Sequence, residues 1–441
     1  MTRKRVLVLG GGFGGMYTAR RLERRLPPEE AEIILINVEN YMLYTPLLPE
    51  AAAGTIEPRH VVVPLRQALR RTRLKVGNVT AVDLDRRTCD YVTTAGAERS
   101  LEWERLVVAL GSVSRIFPIP GLAEHAHGFK TLAEAIYLRN HVLEQLELAD
   151  ATDDLDERRA RLTFVVVGAG YAGTELVAEL QALVRRALRL YPALRPSDIR
   201  WVLADVAPQV LPELGGRLSR TALQVLRKRG VEIRLKTTLD QVGPDWVRFS
   251  DGEWVPTSTV VWTAGVTPDP LIGKLGLATD ERGRLMVDEY LAVPGRDDVF
   301  AVGDAAAVPV AGRKGETAPP TAQHALRQAK VCADNVSASL GHGTRRPFTF
   351  QNLGLLVNLS ERYGVGRVLG FPVSGLLGWM VTRSYHLFAL PTWTRRLRVG
   401  LDWAVALGFP RDVAELGTLG HPEPLPGEQK RPQPVERPPE G

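Results

Sequence analysis

Only two cysteines occur in the 441 residues, Cys89 and Cys332, and they are far apart with no Cys-x-x-Cys pattern. Disulfide scaffolding, zinc binding and iron–sulfur ligation therefore lack ligands, and no metal site is expected. Any electrons this protein moves must ride on an organic cofactor. No apolar run reaches the ~18–20 residues needed to cross a bilayer. Met1 to Arg5 leads straight into the strand-like Val6–Leu9, which leaves no room for a secretion signal, so a cytoplasmic protein is expected. The net charge of +6 favours anionic partners, but no nucleic-acid-binding signature accompanies it, and no nucleic acid is expected as a partner. An arginine-rich surface accounts for the charge equally well.

The chain exceeds the usual size of a single core, so two or three domains are expected. Two segments share one form. Arg5–Ala19 reads RVLVLGGGFGGMYTA and Leu162–Glu175 reads LTFVVVGAGYAGTE. Each is an apolar strand, a glycine-rich turn and a helix. Gly10, Gly12 and Gly15 make G-x-G-x-x-G, with Gly14 inside it, and Gly168, Gly170 and Gly173 repeat it. In such a turn the first glycine bends the chain, the second admits a pyrophosphate to the backbone, and the third packs helix on strand. The helix N-terminus adds favourable electrostatics for phosphate.

A residue about 20 positions on is expected to hold ribose hydroxyls. After the first motif that register gives Asn37, with the charged Glu39 two positions later, and Glu39 is the chosen candidate. After the second, the strand Ile199–Ala204 ends in Asp205, the interval being lengthened by a Tyr191–Pro196 insertion. A carboxylate there favours a free 2′-hydroxyl over a 2′-phosphate, hence NADH over NADPH. Two dinucleotide sites in one chain imply that one nucleotide reduces the other, and the usual pair is FAD with a nicotinamide nucleotide. Asp304, closing the apolar strand DVFAVGD, suits the ribityl hydroxyls of a flavin. A short strand ending at Gly111 and the small residues Ala264 and Gly265 allow close backbone approach. The periodicity of 131–150 predicts a helix. Another is expected over 321–340, with Thr321 as cap and Ala322 at its start, so that its N–H groups could face a reduced flavin.

These residues together resemble the type II (non-proton-pumping) NADH:quinone oxidoreductases, over roughly residues 4–415. Both glycine motifs fit, as do Tyr44-Thr-Pro-Leu-Leu-Pro49 (with Pro46 under the flavin), Ala204–Pro212, Trp262–Gly265, Val302–Asp304 and Pro319-Pro-Thr-Ala-Gln323. The resemblance implies an α/β fold of two Rossmann-like domains, the NADH domain inserted in the FAD domain. It places the FAD domain at 1–125 and 286–340, the NADH domain at 126–285, a membrane-associating helical region at 341–415 and a disordered tail at 416–441. It implies bound FAD, NADH as substrate and quinone as acceptor, with Glu175 at the flavin–nicotinamide contact and Gln323 and Arg367 at the quinone. One departure stands out. The family's helix reads Ala-Gln-x-Ala-x-Gln, whereas here Arg327 takes the second glutamine's place and Gln328 is displaced by one residue.

Phe371–Pro410 is rich in Trp, Tyr, Phe and Arg in stretches too short to span. Such helices lie in the headgroup layer. A peripheral protein on the cytoplasmic face of the cell membrane is expected, with a homodimer through the same helices as a second reading. The rivals are a soluble ferredoxin- or rubredoxin-type reductase and a non-catalytic NADH-sensing flavoprotein. A sulfide:quinone or disulfide reductase would need cysteines beside the flavin.

Overall fold

The computed structural model describes residues 3–313, 315–349 and 354–415. The expected disordered tail, 416–441, lies outside them. The strand Lys4–Leu9 is the hub of the first layer. Val6, Leu7, Val8 and Leu9 are all fully buried, because a parallel strand covered on both faces must be apolar on both. Full burial of such a side chain contributes ~1.5–3 kcal/mol.

Among the described residues, an eight-stranded sheet surrounds this hub. Arg296–Ala301, Arg105–Val108, Lys4–Leu9, Ala31–Asn37 and Arg73–Asp83 run parallel within it. Thr88–Thr93 and Glu98–Glu102 extend it antiparallel. A second sheet orders His127–Gly128, Thr259–Trp262, Thr163–Val167, Arg200–Asp205 and Val231–Leu235, all parallel. The two glycine motifs follow the central strands of these two sheets. The segments joining the layers pair with each other, Ser112–Ser114 antiparallel to Val266–Pro268. Leu271, Ile272, Leu275 and Leu285 pack into the first core, so the chain has left the second core well before residue 285.

The helix over 131–150 is found at Leu132–Ala151, started by a capping box between Thr131 and Glu134. The long helix is Ala322–Ser339, and the Thr321 side chain caps it by accepting the His324 N–H. This long helix packs along the first Rossmann helix, Phe13–Arg25. The Thr18 hydroxyl reaches the Ala329 carbonyl at 3.4 Å, and Asp334 takes a two-pronged bond from Arg21 at 2.7 and 2.8 Å. Asp334 keeps its carboxyl below the usual range: burial would raise it, but Arg21, Arg346 and Arg25 outweigh that.

The C-terminal region adds a three-stranded antiparallel sheet, Gly354–Asn358, Gly364–Val368 and Phe371–Ser374, then helices Gly375–Ala389 and Trp393–Gly408. Val357, Leu359 and Val365 join the second core, while Leu390, Val399 and Trp403 join the first. The region therefore straddles both layers.

Helix and strand meet backbone to backbone at the glycine turns. A methyl group on Gly15 would lie 1.8 Å from the Gly10 carbonyl oxygen, which has no freedom to move aside. Gly15→Ala is expected to cost at least the ~1–3 kcal/mol of an overpacked core. The purified variant should melt earlier than wild type and lose yellow colour on gel filtration.

Candidate functional site

The two glycine turns are built alike. Gly10 has φ +95° and Gly168 φ +113°, a left-handed bend that a side chain resists. Around Gly12 and around Gly170 no atom lies within 4 Å of where a Cβ would sit, so each middle glycine faces open space. Gly14 packs against Val302 and Gly15 against Gly10, while Gly173 would place a Cβ 1.9 Å from the Gly168 carbonyl oxygen. Each turn is closed on its inner side and open on its outer side, the shape a pyrophosphate needs.

The residue at the end of each following strand clamps its turn. The Gly11 N–H donates to Asn37 Oδ1 at 2.7 Å, and the Ala169 N–H to Asp205 Oδ2 at 2.5 Å. The registers are equivalent, Leu9 opposite Ile36 and Val167 opposite Ala204. Asn37 thus stands where Asp205 stands in the second unit. Glu39, chosen on charge, lies two residues further on an exposed bend, and its carbonyl receives Asn37 Nδ2 at 2.8 Å. Register thus sets Asn37 at the turn, and Glu39 stands beside it on charge, both at the strand end where a first ribose would lie.

Asp304 sits past the strand Arg296–Ala301, in a turn set by Gly303 at φ +73°. The Ser112 hydroxyl donates to Asp304 Oδ2 at 2.6 Å, and Lys130 Nζ donates to Ser112 Oγ at 2.8 Å. Burial pulls the Lys130 ammonium down, against the opposing pull of Asp304 and Glu134. Gly111, at φ +74°, precedes Ser112 and faces open space. Ala264 and Gly265 end the second sheet's central crossing, and Gly265 accepts the Arg115 N–H through its carbonyl at 3.2 Å.

Thr321 and Ala322 begin the long helix beside this turn. Gln323, on its first turn, places Nε2 3.5 Å from the Gly354 carbonyl and 3.4 Å from the Tyr385 hydroxyl. Its Oε1 is buried with no hydrogen-bond partner. Gln328 is buried and accepts the Gly303 N–H at 2.8 Å, bracing the Asp304 turn. The displaced glutamine therefore has a structural task, and Arg327 reaches back to the Gln323 carbonyl at 3.3 Å. Arg367 lies on the strand Gly364–Val368, opposite Leu355. Its guanidinium reaches the Leu214 carbonyl at 3.4 Å, on the second domain's side.

Glu175 opens onto a feature the sequence did not reveal. A cavity of about 10 Å³, about the size of one water, is lined by Glu175, Glu50, Glu179, Asn358, Arg383 and His386, among others. Asn358 ties the three carboxylates together. Its N–H donates to Glu175 at 2.6 Å, and its amide nitrogen to Glu50 at 3.0 Å and Glu179 at 3.3 Å. Trp403 donates to Glu50 at 2.6 Å, Arg383 lies 3.3 Å from it, and Arg411 pairs with Glu179 at 2.7 Å. Burial pushes the Glu175 carboxyl up to about 8; the Asn358 N–H opposes this, and Glu50 and Glu179 reinforce it. Glu50 is likewise raised by burial, against the pull of Arg383. Glu179 follows Glu175 by four residues on one helix, so a shared face was legible, but the contribution of Glu50 was not.

The profile of the pyridine nucleotide-disulphide oxidoreductase family matches residues 4–329. The type II NADH:quinone oxidoreductase Ndh of Mycobacterium tuberculosis is 31% identical over 418 residues, covering 91% of this chain and 88% of that protein. The demethylphylloquinone reductase NdbB of a Synechocystis species is 32% identical, covering 91% of this chain and 96% of that protein. NDH2 of Plasmodium falciparum, solved with NADH, shares the fold with a TM-score of 0.86 at 17% identity, covering 94% of this chain and all of that one.

The raised carboxyl of Glu175 has a consequence for stability. Unfolded, it ionises near ~4.3; folded, near about 8. Its contribution is intact below the lower value and is lost as pH rises to the upper one. Glu175→Gln should therefore melt progressively later relative to wild type between pH 5 and pH 8, measured by flavin fluorescence. Parallel melting curves at both pH values would remove the buried-acid assignment.

Proposed function

We propose, from the premise that the chain belongs to the pyridine nucleotide-disulphide oxidoreductases and within them to the type II NADH:quinone oxidoreductases, a residue-level account of its activity. The protein is an enzyme that transfers electrons from NADH to a quinone with FAD as its bound cofactor. One observation carries the account: two equivalent glycine turns, each closed inside and open outside, each clamped by a strand-end side chain.

The first turn, Gly10 to Gly15, suits the FAD pyrophosphate, with Asn37 or Glu39 toward the ribose and Asp304 toward the ribityl hydroxyls. Ser112 and Lys130 hold Asp304 in place. Pro46 lines the cavity that also holds Glu175, and Gly111, before Ser112, faces open space. FAD supplies, when bound, the two-electron carrier between nicotinamide and quinone. The N–H groups of Ala322 and Gln323 stabilise negative charge at the helix start, as any helix N-terminus does.

The second turn, Gly168 to Gly173, suits the NADH pyrophosphate. Both Asp205 oxygens are engaged by backbone N–H groups, of Ala169 and Ala207, which fixes the carboxylate toward ribose and against a 2′-phosphate. Ala264 and Gly265 leave the backbone accessible. Glu175, protonated at neutral pH by its burial, holds a proton close to the junction. Gln323 suits the quinone end. Its amide can donate to a quinone carbonyl, and its orphaned oxygen can accept from a quinol hydroxyl. Arg367, facing Leu214, is better suited to bracing the domains than to touching quinone.

Among the described residues no helix is long and apolar enough to cross a membrane. The C-terminal helices nevertheless expose apolar stripes at helical spacing. Trp393, Leu397, Leu401 and Val405 form one, and Leu376, Met380 and Phe388 another, flanked by Phe371. Arg395, Arg396 and Arg398 adjoin them. A bilayer surface with anionic headgroups, on the cytoplasmic face of the cell membrane, fits this pattern and delivers a water-insoluble quinone. A second copy of the chain is the competing occupant.

Two measurements test this reading. Asp205→Asn loses a charge-assisted contact worth ~1.5–3 kcal/mol, so KM for NADH should rise about tenfold or more while NADPH is discriminated against less. Leu397→Glu with Leu401→Glu should abolish flotation with anionic vesicles but preserve turnover with a water-soluble quinone. Unchanged flotation, or conversion of a dimer to a monomer with flotation intact, would assign these stripes to the second copy.

A further inference from the structure

The net reaction leaves one proton unassigned. The hydride of NADH carries two electrons and one proton, and a quinone accepts two electrons and two protons. The C4–H bond of the nicotinamide breaks, two O–H bonds form, and one proton per turnover comes from the medium. Gln323 Oε1 is buried, so a proton bound for a quinone oxygen beside it is best delivered by neighbouring side chains.

Proton-carrying groups run from the water-sized cavity through His386 to Tyr44, and Tyr385 stands between His386 and Gln323. His386, on the helix Gly375–Ala389, lines the cavity together with Glu175 and Glu50. Its Nδ1 lies 3.2 Å from the Tyr44 hydroxyl. Tyr44 is buried, with its ring 5.5 Å from that of Phe13 in the first glycine turn. On its other side the imidazole meets Tyr385 edge to face at 5.2 Å, and the Tyr385 hydroxyl is the group 3.4 Å from Gln323 Nε2. His386 thus borders the carboxylate cavity, Tyr44 and Tyr385 together.

We propose that His386 and Tyr44 carry the medium-derived proton from the Glu175 cavity to the quinone oxygen. This rests on the placement of the quinone end at Gln323. In the step, the Tyr44 O–H bond breaks as the quinone oxygen takes the proton, and an imidazole nitrogen of His386 restores it. The other ring nitrogen is reprotonated from the cavity, whose acid is Glu175.

The chemistry of each group suits the role. Burial drops the His386 imidazole to about 4, so it is neutral at pH 7 and can give a proton at one nitrogen while taking one at the other. Burial raises the Tyr44 hydroxyl, so a free tyrosinate does not persist and donation must be coupled to arrival of the next proton. Glu175, pushed up to about 8, is protonated at pH 7 and deprotonates on modest demand. The neighbouring charged and titratable groups are Glu50 and Glu179 across the cavity, Arg383 on the same helix, Arg411 at Glu179, and Tyr17 on the first Rossmann helix.

Stopped-flow measurement on the full-length holoenzyme separates the two half-reactions, with NADH first and a short-chain water-soluble ubiquinone second. His386→Gln keeps a hydrogen-bonding group beside Tyr44 but cannot relay a proton; Tyr44→Phe removes the final donor. Both are expected to retain FAD by absorbance and to keep the NADH phase within about twofold of wild type. The quinone phase should slow at least tenfold, with a larger solvent deuterium isotope effect. The double variant should be no slower than the worse single one, because both lie on one path. A quinone phase within twofold of wild type overturns the proposal, and so does one slowed with an unchanged isotope effect or in parallel with the NADH phase. If Tyr44→Phe loses its FAD, His386→Gln decides by the same outcomes. Failure of the wild-type protein to reduce quinone would instead overturn the reading of Gln323.

Discussion

A carbonyl oxygen 1.8–1.9 Å from where a methyl group would sit is the constraint on which this molecule depends. It occurs twice, at Gly15 over Gly10 and at Gly173 over Gly168. Helix and strand can approach that closely only without a side chain between them. The approach aims each helix N-terminus across its turn and leaves the middle glycine facing open space. It also sets where the next strand ends, so Asn37 and Asp205 arrive at the same place to accept the same backbone N–H. Nucleotide binding at either turn is then a matter of filling a shape the backbone has already made.

The second layer of dependence is the meeting of distant segments over three carboxylates. Leaving Glu50 and Glu179 buried without partners would cost several kcal/mol each. Asn358, Trp403, Arg383 and Arg411 prevent that, and all four lie beyond residue 350. Arg383 also stacks over the rings of Trp379 and Trp403, at 4.5 and 4.6 Å, which fixes its guanidinium over Glu50. The C-terminal region is consequently not an appendage on a finished fold. Without it, the acids of the short helix Leu48–Ala52 and of the second Rossmann helix would face each other with no cation between them.

These two layers differ in how far they could be read from the residues. The glycine turns, the strand-end Asp205, the capping of Leu132–Ala151 by Thr131 and of Ala322–Ser339 by Thr321 are local rules, in which each residue's neighbours within a few positions decide its role. They were legible, as was the family. Glu39 is chosen on charge, whereas strand register sets Asn37 at the turn. Gln328 looked like a slipped ligand because its partner, the Gly303 N–H, lies 25 residues away. Arg367 is placed at the quinone by resemblance alone, and its contact with the Leu214 carbonyl could not be read from its own strand. Leu271–Leu285 read as part of the second unit because nothing in their own pattern says which of two cores they join. In each case the deciding contact is tertiary.

The same two helices that close the carboxylate cavity also carry the exposed apolar stripes, and the two faces are out of phase by design of the helical repeat. On Trp393–Gly408, Val399 and Trp403 face inward, four residues apart, while Trp393, Leu397, Leu401 and Val405 face outward at the same spacing. On Gly375–Ala389, Gly378 and Thr382 are inward and Leu376, Met380 and Phe388 outward. A force on the outer face is therefore transmitted to Trp403 and Arg383 with no intervening loop. Arg20 at the Pro391 carbonyl, Arg395 at the Arg59 carbonyl and His60 at Asp402 restrain the pair against the first domain. A surface that holds the outer face steady holds the partners of Glu50 steady too. The exposed stripes and the partners of Glu50 are thus carried by one pair of helices.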